Sequence, residues 1–221
     1  MASLLKNQIL KHLSKFTKNL SADKINLSTL RGEGDLSNLE LNEDILTQLL
    51  ELPTWLRITK AVCSRVSVKI QWTKLKSQPI CLYLDEVILE AETCEQPRPP
   101  NTQSQQSQGG KYGFVDRVMD GIYIHVNSVV VKLHSHMFHA SLQLSRVKVQ
   151  SMSPTWQTPS DLRSTRIRDP GRGEILLFKE IEWQTTRIEA TAKCTDEDFL
   201  TPLRLIANQA KIRIVVKKRL I

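Results

Sequence analysis

The stretch that decides the fold is AVCSRVSVKIQW, residues 61–72, followed after the link TKLKSQ by PICLYLDEVILEAE, residues 79–92. Both segments are rich in aliphatic and β-branched residues, which are enriched in strands. Val66, Val68 and Ile70 alternate with polar residues, which is the period of a strand with one apolar face. The two segments therefore predict a pair of long, adjacent strands.

The first residues of the chain predict an amphipathic, basic helix. Apolar residues recur there at helical spacing, and lysines occupy the other faces. The apolar positions are Leu5, Ile9, Leu13, Phe16 and Leu20, and the lysines are Lys6, Lys11, Lys15 and Lys18.

A hairpin and a second helix should follow. KINLSTL and DLSNLEL flank RGEG, where Gly32 and Gly34 supply the backbone freedom that a tight reversal needs. NEDILTQLLEL then begins with Asn42 as a candidate N-cap, carries acids in its first turn, and is stopped by Pro53. This segment predicts a short helix directly before the first long strand.

Downstream of the two strands, one break in composition interrupts a β-rich remainder. EQPRPPNTQSQQSQGG, residues 95–110, is nearly devoid of apolar side chains and predicts a disordered loop. A regulatory insert is the alternative to a long connection. YGFVDRVMDG, closed by Gly121, predicts a short helix. Period-two alternation follows and slips by one residue near Ser145 or Arg146, where we expect a β-bulge.

These elements predict an α+β chain that is mainly β, with a curved antiparallel sheet and few helices. Three helices, two of them short, are too few to cover the apolar face of about eight strands. The sheet must either close on itself as a sandwich or barrel, or leave this face to a ligand. Periodicity alone does not separate the two, because both produce the same alternation.

Several motifs in order resemble the chorein-type N-terminal domain of the bridge-like lipid transfer proteins, also called repeating-β-groove proteins. They are GEGDLSNLEL (32–41), LPTWL (52–56) and WTKLKSQPICLYLDEV (72–87). The resemblance is closest to the third bridge-like subgroup, and DLRSTRIRDP (161–170) and GEILLFKEIEW (173–183) match that subgroup alone. The family-motif residues are Gly32, Gly34, Pro53, Trp55, Trp72 and Pro79.

The resemblance implies a hydrophobic β-groove that binds phospholipid acyl chains for bulk transfer between organelle membranes. It favours the open groove over the closed sheet and implies a cytoplasmic protein, peripheral at endosomal or endoplasmic reticulum contact sites, without cofactor or enzymatic activity. Residues 1–94 would be the chorein-like part and residues 111–221 its continuation. The expected groove lining is Val66, Val68, Ile70, Ile80, Leu82, Leu84, Ile122, Ile124, Val126, Leu142, Leu144, Ile175, Leu177, Ile212 and Ile214.

The last segment, residues 203–221, keeps its strand pattern to the end, which favours continuation into further groove modules. Lys217, Lys218 and Arg219 as edge-protecting charges are the simpler alternative. A closed, membrane-peripheral or protein-interaction module without lipid transfer is the second function class that the sequence leaves open.

The net charge of +8 points to an anionic partner. A membrane surface fits, with Lys6, Lys11, Lys15 and Lys18 as its contacts, because clustered Lys and Arg attract anionic lipids. The alternative is that the first helix caps one mouth of the groove and its lysines are solvated. Nucleic acid fits poorly, because aromatic residues are scarce and no RNA- or DNA-binding motif occurs.

Catalytic and metal sites are not indicated. His134, His136 and His139 are the densest set of candidate ligands, but they lie where a hairpin turn is expected and have no acid or cysteine beside them, so a solvated turn is favoured. The four cysteines form no CxxC pair and no secretory signal precedes them, which predicts reduced thiols in the cytosol. The sequence also lacks the P-loop, GxSxG and HExxH patterns.

Overall fold

The fold was analysed in a computed structural model, which describes residues 14–18, 32–99, 113–193 and 202–219. This part of the chain is mainly β, with one curved sheet of ten strands and few helices. The strands are β1 Glu33–Glu40, β2 Leu56–Lys69, β3 Cys81–Thr93, β4 Tyr123–His134, β5 Phe138–Ser151, β6 Arg166–Asp169, β7 Glu174–Trp183, β8 Thr185–Ala192, β9 Leu203–Ala207 and β10 Ala210–Arg219. The helices are α1 Glu43–Leu49 and α2 Phe114–Asp120, with 3₁₀ turns at Trp72–Lys74 and Leu162–Thr165.

The sheet follows the chain closely, in the order β1-β2-β3-β4-β5-β7-β10. The strand β8 pairs with the first half of β5 and with β9, whereas β6 pairs with the start of β7. The two long strands predicted from the sequence are confirmed as β2 and β3, which pair antiparallel.

The expectation of an all-antiparallel sheet is wrong at one pair, because β3 and β4 are parallel. A parallel pair needs a connection that returns the chain to the end where the first strand began. Here the connection ends with α2, placed directly before β4. The sequence predicted the helix, but it did not indicate whether the following strand would run parallel or antiparallel to β3.

The two short helices form as predicted. The Asn42 side chain accepts a hydrogen bond from the Ile45 backbone N–H at 3.1 Å, capping α1. That helix ends at Leu49, four residues before Pro53, so the proline is not its immediate stop. Gly121 closes α2. The predicted first helix and the first arm of the predicted hairpin lie largely outside the described residues, whereas the second arm is β1.

The last predicted strand is in fact two, β9 and β10, separated at Asn208 and Gln209. The sheet partners differ, since β9 pairs with β8 and β10 pairs with β7. Likewise β7 and β8 are separated only by Gln184, and both pair with β5. The C-terminal half of the sheet therefore consists of long strands broken once in the middle.

Candidate functional site

Cross-strand pairing sorts the apolar residues into five rows that run across the strands. Directly paired residues point to the same face of a sheet, so each row marks one face continuously. The rows are Val68–Leu82–Ile124–Val149–Ile181–Ile212, Leu36–Val66–Leu84–Val126–Val147, Leu39–Cys63–Val87–Val129–Leu144, Ala61–Leu89–Val131–Leu142–Ile188–Leu205 and Ile58–Ala91–Leu133–Ala140–Ala190–Leu203. Members of the first four rows pack into one hydrophobic cluster. We call this surface the apolar face.

A line of polar residues interrupts the alternation between the second and third rows. In each of β1 to β5, two polar residues stand where a strand of period two would have one. The pairs are Ser37–Asn38, Ser64–Arg65, Asp85–Glu86, Asn127–Ser128 and Ser145–Arg146. We call this line the polar step.

The polar step changes the phase of the strands without changing their register. Val126 pairs with Val147 on one side and Ser128 with Ser145 on the other, so no extra residue is inserted in β5. The predicted β-bulge near Arg146 is therefore wrong. Arg146 instead takes a left-handed conformation, with φ of 50°, which lets the side chains beyond it return to the apolar face.

Hydrogen bonds tie neighbouring strands together along the polar step. The Ser64 hydroxyl accepts from the Glu86 backbone N–H at 3.1 Å. On the next pair of strands, the Asn127 side-chain amide donates to the Asp85 carboxylate at 2.9 Å. These bonds hold the phase changes of adjacent strands at the same level, so the apolar rows stay continuous on both sides of the step.

The opposite face of the sheet is charged. Lys60 and Lys132 lie on either side of Glu90, 3.6 Å and 3.9 Å from its carboxylate, and Lys148 lies 2.9 Å from Glu182. These side chains alternate along the strands with members of the apolar rows. Apart from one short apolar row, Val62–Ile88–Val130, this face is ion-paired and suited to water, whereas the apolar face is suited to hydrocarbon.

Exposure of the apolar face increases from β1 towards β9 and β10. Val66 and Val68 are buried, whereas Leu142 is half-buried. At the far side, Leu203 is 71% exposed and Leu205 is 56% exposed. Large exposed aliphatic residues in continuous rows are unusual on a soluble surface and mark places where an apolar ligand or another protein segment binds.

At one end of the strands the same face is covered by α2 and by the two 3₁₀ turns. Ile80 and Ile175 are each 1% exposed there, and a Cβ on Gly121 would lie 2.7 Å from the Leu162 side chain. Lys179 is half-buried at this end, where it donates to the Asp120 carbonyl, and desolvation lowers the pKa of its ammonium group to about 8. We call this the closed end.

The structure places the predicted lining residues in two groups. Those within the apolar rows are Val66, Val68, Leu82, Leu84, Ile124, Val126, Leu142, Leu144 and Ile212. Those at the closed end or leading into it are Ile70, Ile80, Ile122, Ile175, Leu177 and Ile214. Four of the six residues in the second group are buried, compared with three of the nine in the first, namely Val66, Val68 and Val126.

The sequence prediction named nine of the residues in the five rows and missed most of the others. Val87, Leu89, Val129, Val131 and Leu133 all lie beyond the polar step, where continuing the alternation from the strand start puts them on the wrong face. The signal that could have found them was the adjacent pair of polar residues in the middle of each strand. From the sequence, this slip was predicted in β5 only.

The predicted membrane-contact lysines and family-motif residues do not form one continuous surface in the described residues. Of the four lysines proposed to contact a membrane, Lys15 is exposed, and Lys18 pairs with the Glu43 carboxylate, whose hydrogen bond raises the pKa of that ammonium group. Lys6 and Lys11 lie outside the described residues. Among the family-motif residues, Trp55 is half exposed and Gly32 lies against the Ile70 carbonyl.

The histidines do not converge on a metal site. His134 and His139 approach through their Nδ1 atoms at 2.9 Å, whereas the His136 ring lies 3.4 Å from Glu95. Within the described ranges, no group of three or more His, Cys, Asp or Glu side chains could hold a metal ion. Cys63, Cys81 and Cys94 are free, and burial raises the pKa of the Cys63 thiol to about 11.

Comparison with known proteins agrees with the sequence motifs. The family profile described as bridge-like lipid transfer protein family member 3A/B matches residues 1–221. This chain belongs to the bridge-like lipid transfer protein family. It is 59% identical to human bridge-like lipid transfer protein family member 3A over 99% of its length, and 54% identical to mouse family member 3B over 100%.

More distant similarity extends to the intermembrane lipid transfer protein vps13A of Dictyostelium discoideum, 22% identical over 70% of the chain. The chain spans 16% of human member 3A, 15% of mouse member 3B and 6% of vps13A. The resemblance stated from the motifs is thus confirmed at the level of the family. In the described part of the chain, no helix is both long enough and apolar enough to cross a bilayer.

Proposed function

We propose that the apolar face binds phospholipid acyl chains, and that this chain is the N-terminal segment of a protein that transfers lipids between organelle membranes. The observation that carries the proposal is the set of five aliphatic rows, which all remain in phase from β2 to β5 and lie opposite an ion-paired face; two of them continue through β8 to β9 and one through β7 to β10. Membership of the bridge-like lipid transfer family supports it. In this function the chain performs no bond chemistry.

The energetics favour an aliphatic surface. Each methylene of an acyl chain exposed to water costs about 0.8 kcal/mol, so a dozen cost on the order of 10 kcal/mol. An aliphatic face removes this cost without demanding a partner for any polar group, because Val, Leu and Ile carry none. The phospholipid head group would remain in water at the open side of the groove.

The wider arrangement is also a proposal. The exposed strands β9 and β10 offer an edge to which further groove modules could pair, and the chain spans only about a sixth of its closely similar relatives. The basic first helix predicted from the sequence, including Lys6, Lys11 and Lys15, would contact the organelle membrane. The protein would then act in the cytoplasm, at endosomal or endoplasmic reticulum contact sites.

The test uses two substitutions that introduce the same charge on opposite faces of one strand. Leu142 is half-buried in the fourth row, between Val131 and Ile188, whereas its neighbour Gln143 is exposed on the charged face. We expect Leu142→Asp to reduce bound phospholipid and Gln143→Asp to leave it unchanged. About four methylenes span one interstrand distance of about 4.8 Å, so the loss is about 3 kcal/mol, or roughly a hundredfold in affinity.

Native mass spectrometry with lipid extraction measures the bound phospholipid, and circular dichroism checks the fold of each variant. Equal lipid retention by the two folded variants would contradict the proposal. A lipid-free, folded wild-type chain that also fails to take up fluorescent phospholipid would favour the closed interaction module instead. If Leu142→Asp fails to fold, the neutral substitution Leu142→Asn provides the same comparison against Gln143→Asn.

A further inference from the structure

A cavity lies at the closed end, outside the apolar rows. It has a volume of about 430 Å³ and is enclosed by α2, the turn after β2, the second 3₁₀ turn, β6 and β7. Its apolar lining is Leu75, Phe114, Val118 and Ile175, and its basic lining is Lys76, Arg117, Arg163, Arg166 and Arg168. No acidic residue lines it among the described residues. We call it the basic pocket, and its size is in the range of small-ligand sites.

The cations of the basic pocket differ in how firmly they are held. Arg163 pairs with Asp161, with 2.6 Å between the guanidinium and the carboxylate. Arg166 donates to the Arg117 carbonyl at 3.2 Å, which fixes its guanidinium at the end of α2. Lys76 and Arg168 are exposed, and neither forms an ion pair with an acid in the described ranges. Of the five positive charges, that of Arg163 is therefore neutralised by Asp161. Lys76 and Arg168 have no carboxylate that would compete with an anionic ligand in the described ranges.

The pocket opens on the same side of the sheet as the apolar face. Arg166 pairs directly with Leu177 and Arg168 with Ile175, so these two arginines project on the side where Ile175 forms the pocket floor. Val118, also in the lining, packs in the same hydrophobic cluster as Val126 and Val147. A ligand in the pocket would thus meet cations at its rim and hydrocarbon beneath.

We propose that the basic pocket binds the phosphate group of an anionic phospholipid. Guanidinium groups match phosphate oxygens with paired hydrogen bonds, and an ammonium group adds a mobile positive charge. The four apolar lining residues would take the first part of the attached acyl chain. A free anion would use the rim alone and leave the apolar floor without a partner, which is why the lipid is the preferred source of the phosphate.

The basic pocket is separate from the apolar face, and it would retain its ligand even if the apolar face carried no lipid. Its test pairs the double variant Lys76→Gln/Arg168→Gln with the control Arg146→Gln/Lys211→Gln. Each pair removes two charges, and the control residues are exposed and lie outside the pocket lining. The probes for isothermal titration are dihexanoyl phosphatidic acid below its micelle concentration, dihexanoyl phosphatidylcholine, and glycerol phosphate.

We expect wild type and control to bind phosphatidic acid at least about tenfold more tightly than the pocket variant does. We also expect wild type to bind phosphatidic acid at least about tenfold more tightly than it binds phosphatidylcholine or glycerol phosphate. Equal affinity of wild type and pocket variant would overturn the proposal, as would equal affinity for glycerol phosphate and the lipid, which would assign the site to a free phosphate. The variant Leu142→Asp should keep its affinity for phosphatidic acid, and the pocket variant should keep its co-purified phospholipid, so each site is tested alone.

Should the double variant lose its fold, Lys76→Gln carries the same test. Lys76 is exposed in the turn after β2, and its replacement leaves the strands untouched. A loss of phosphatidic acid affinity in this single variant, beyond that of Lys211→Gln, is the expected result. No difference between the two would refute a role of the pocket rim.

Discussion

Replacing Gly32 by alanine is expected to destabilise the sheet by about 2–3 kcal/mol. Gly32 precedes β1 with φ of 66°, a left-handed conformation that costs an L-residue about 1–2 kcal/mol. A Cβ there would lie 1.9 Å from the Ile70 carbonyl oxygen and 3.2 Å from Trp72 Nε1. The backbone would have to move apart, which breaks the 2.6 Å hydrogen bond from the Ile70 N–H to the Gly32 carbonyl and costs about 1 kcal/mol more.

Thermal unfolding followed by circular dichroism measures the effect. For a chain of this size each kcal/mol corresponds to about 2–4 °C, so we expect the melting temperature to fall by about 4–12 °C. Gly34→Ala is the matched control, because Gly34 lies within β1 opposite Val68 and its φ is not positive. That control should melt at or slightly above the wild-type temperature. Equal melting temperatures for Gly32→Ala and Gly34→Ala would refute the prediction from the backbone geometry of Gly32.

Two further predictions concern buried charges. The pKa of Lys179 is about 8 in the folded chain, against an ordinary value of 10.5. Between these pH values the unfolded chain binds more protons than the folded chain at this residue. The free energy of unfolding should therefore rise with pH from about 8 to 10.5. Urea unfolding should show up to about 3 kcal/mol of that rise in the wild type and none of it in Lys179→Met; parallel pH profiles would contradict this. Arg213→Met leaves the Glu180 carboxylate, 3.0 Å from the Arg213 guanidinium and 3% exposed as a residue, buried without its cation. It should lose about 3 kcal/mol in the same assay, and Glu180→Gln/Arg213→Met should recover most of it, whereas additive losses would argue against coupling.

The sequence predicted those features that depend on neighbouring residues. Asn42 predicted the start of α1, Gly121 predicted the end of α2, and Gly32 predicted a turn. These predictions were possible because helix caps and left-handed residues affect only the few residues next to them. Alternation likewise predicted β2 and β3, and it predicted the apolar side of each strand up to the polar step. The family motifs between residues 32 and 87 predicted the family, because they preserve both residue types and spacing.

The tertiary structure decided what depends on pairing between distant strands. Alternation in β4 gives Ile124 and Val126 but cannot show that Val129 joins them beyond the polar step, since that requires the phase of every neighbouring strand to change at one level. The parallel pairing of β3 and β4 was equally hidden.

The basic pocket is also a product of the tertiary fold, because Lys76, Arg117 and Arg168 come from separate segments that only long-range contacts bring together. Local periodicity fixes which way a side chain points from its own strand. The register and direction of the partner strands fix which surface it joins.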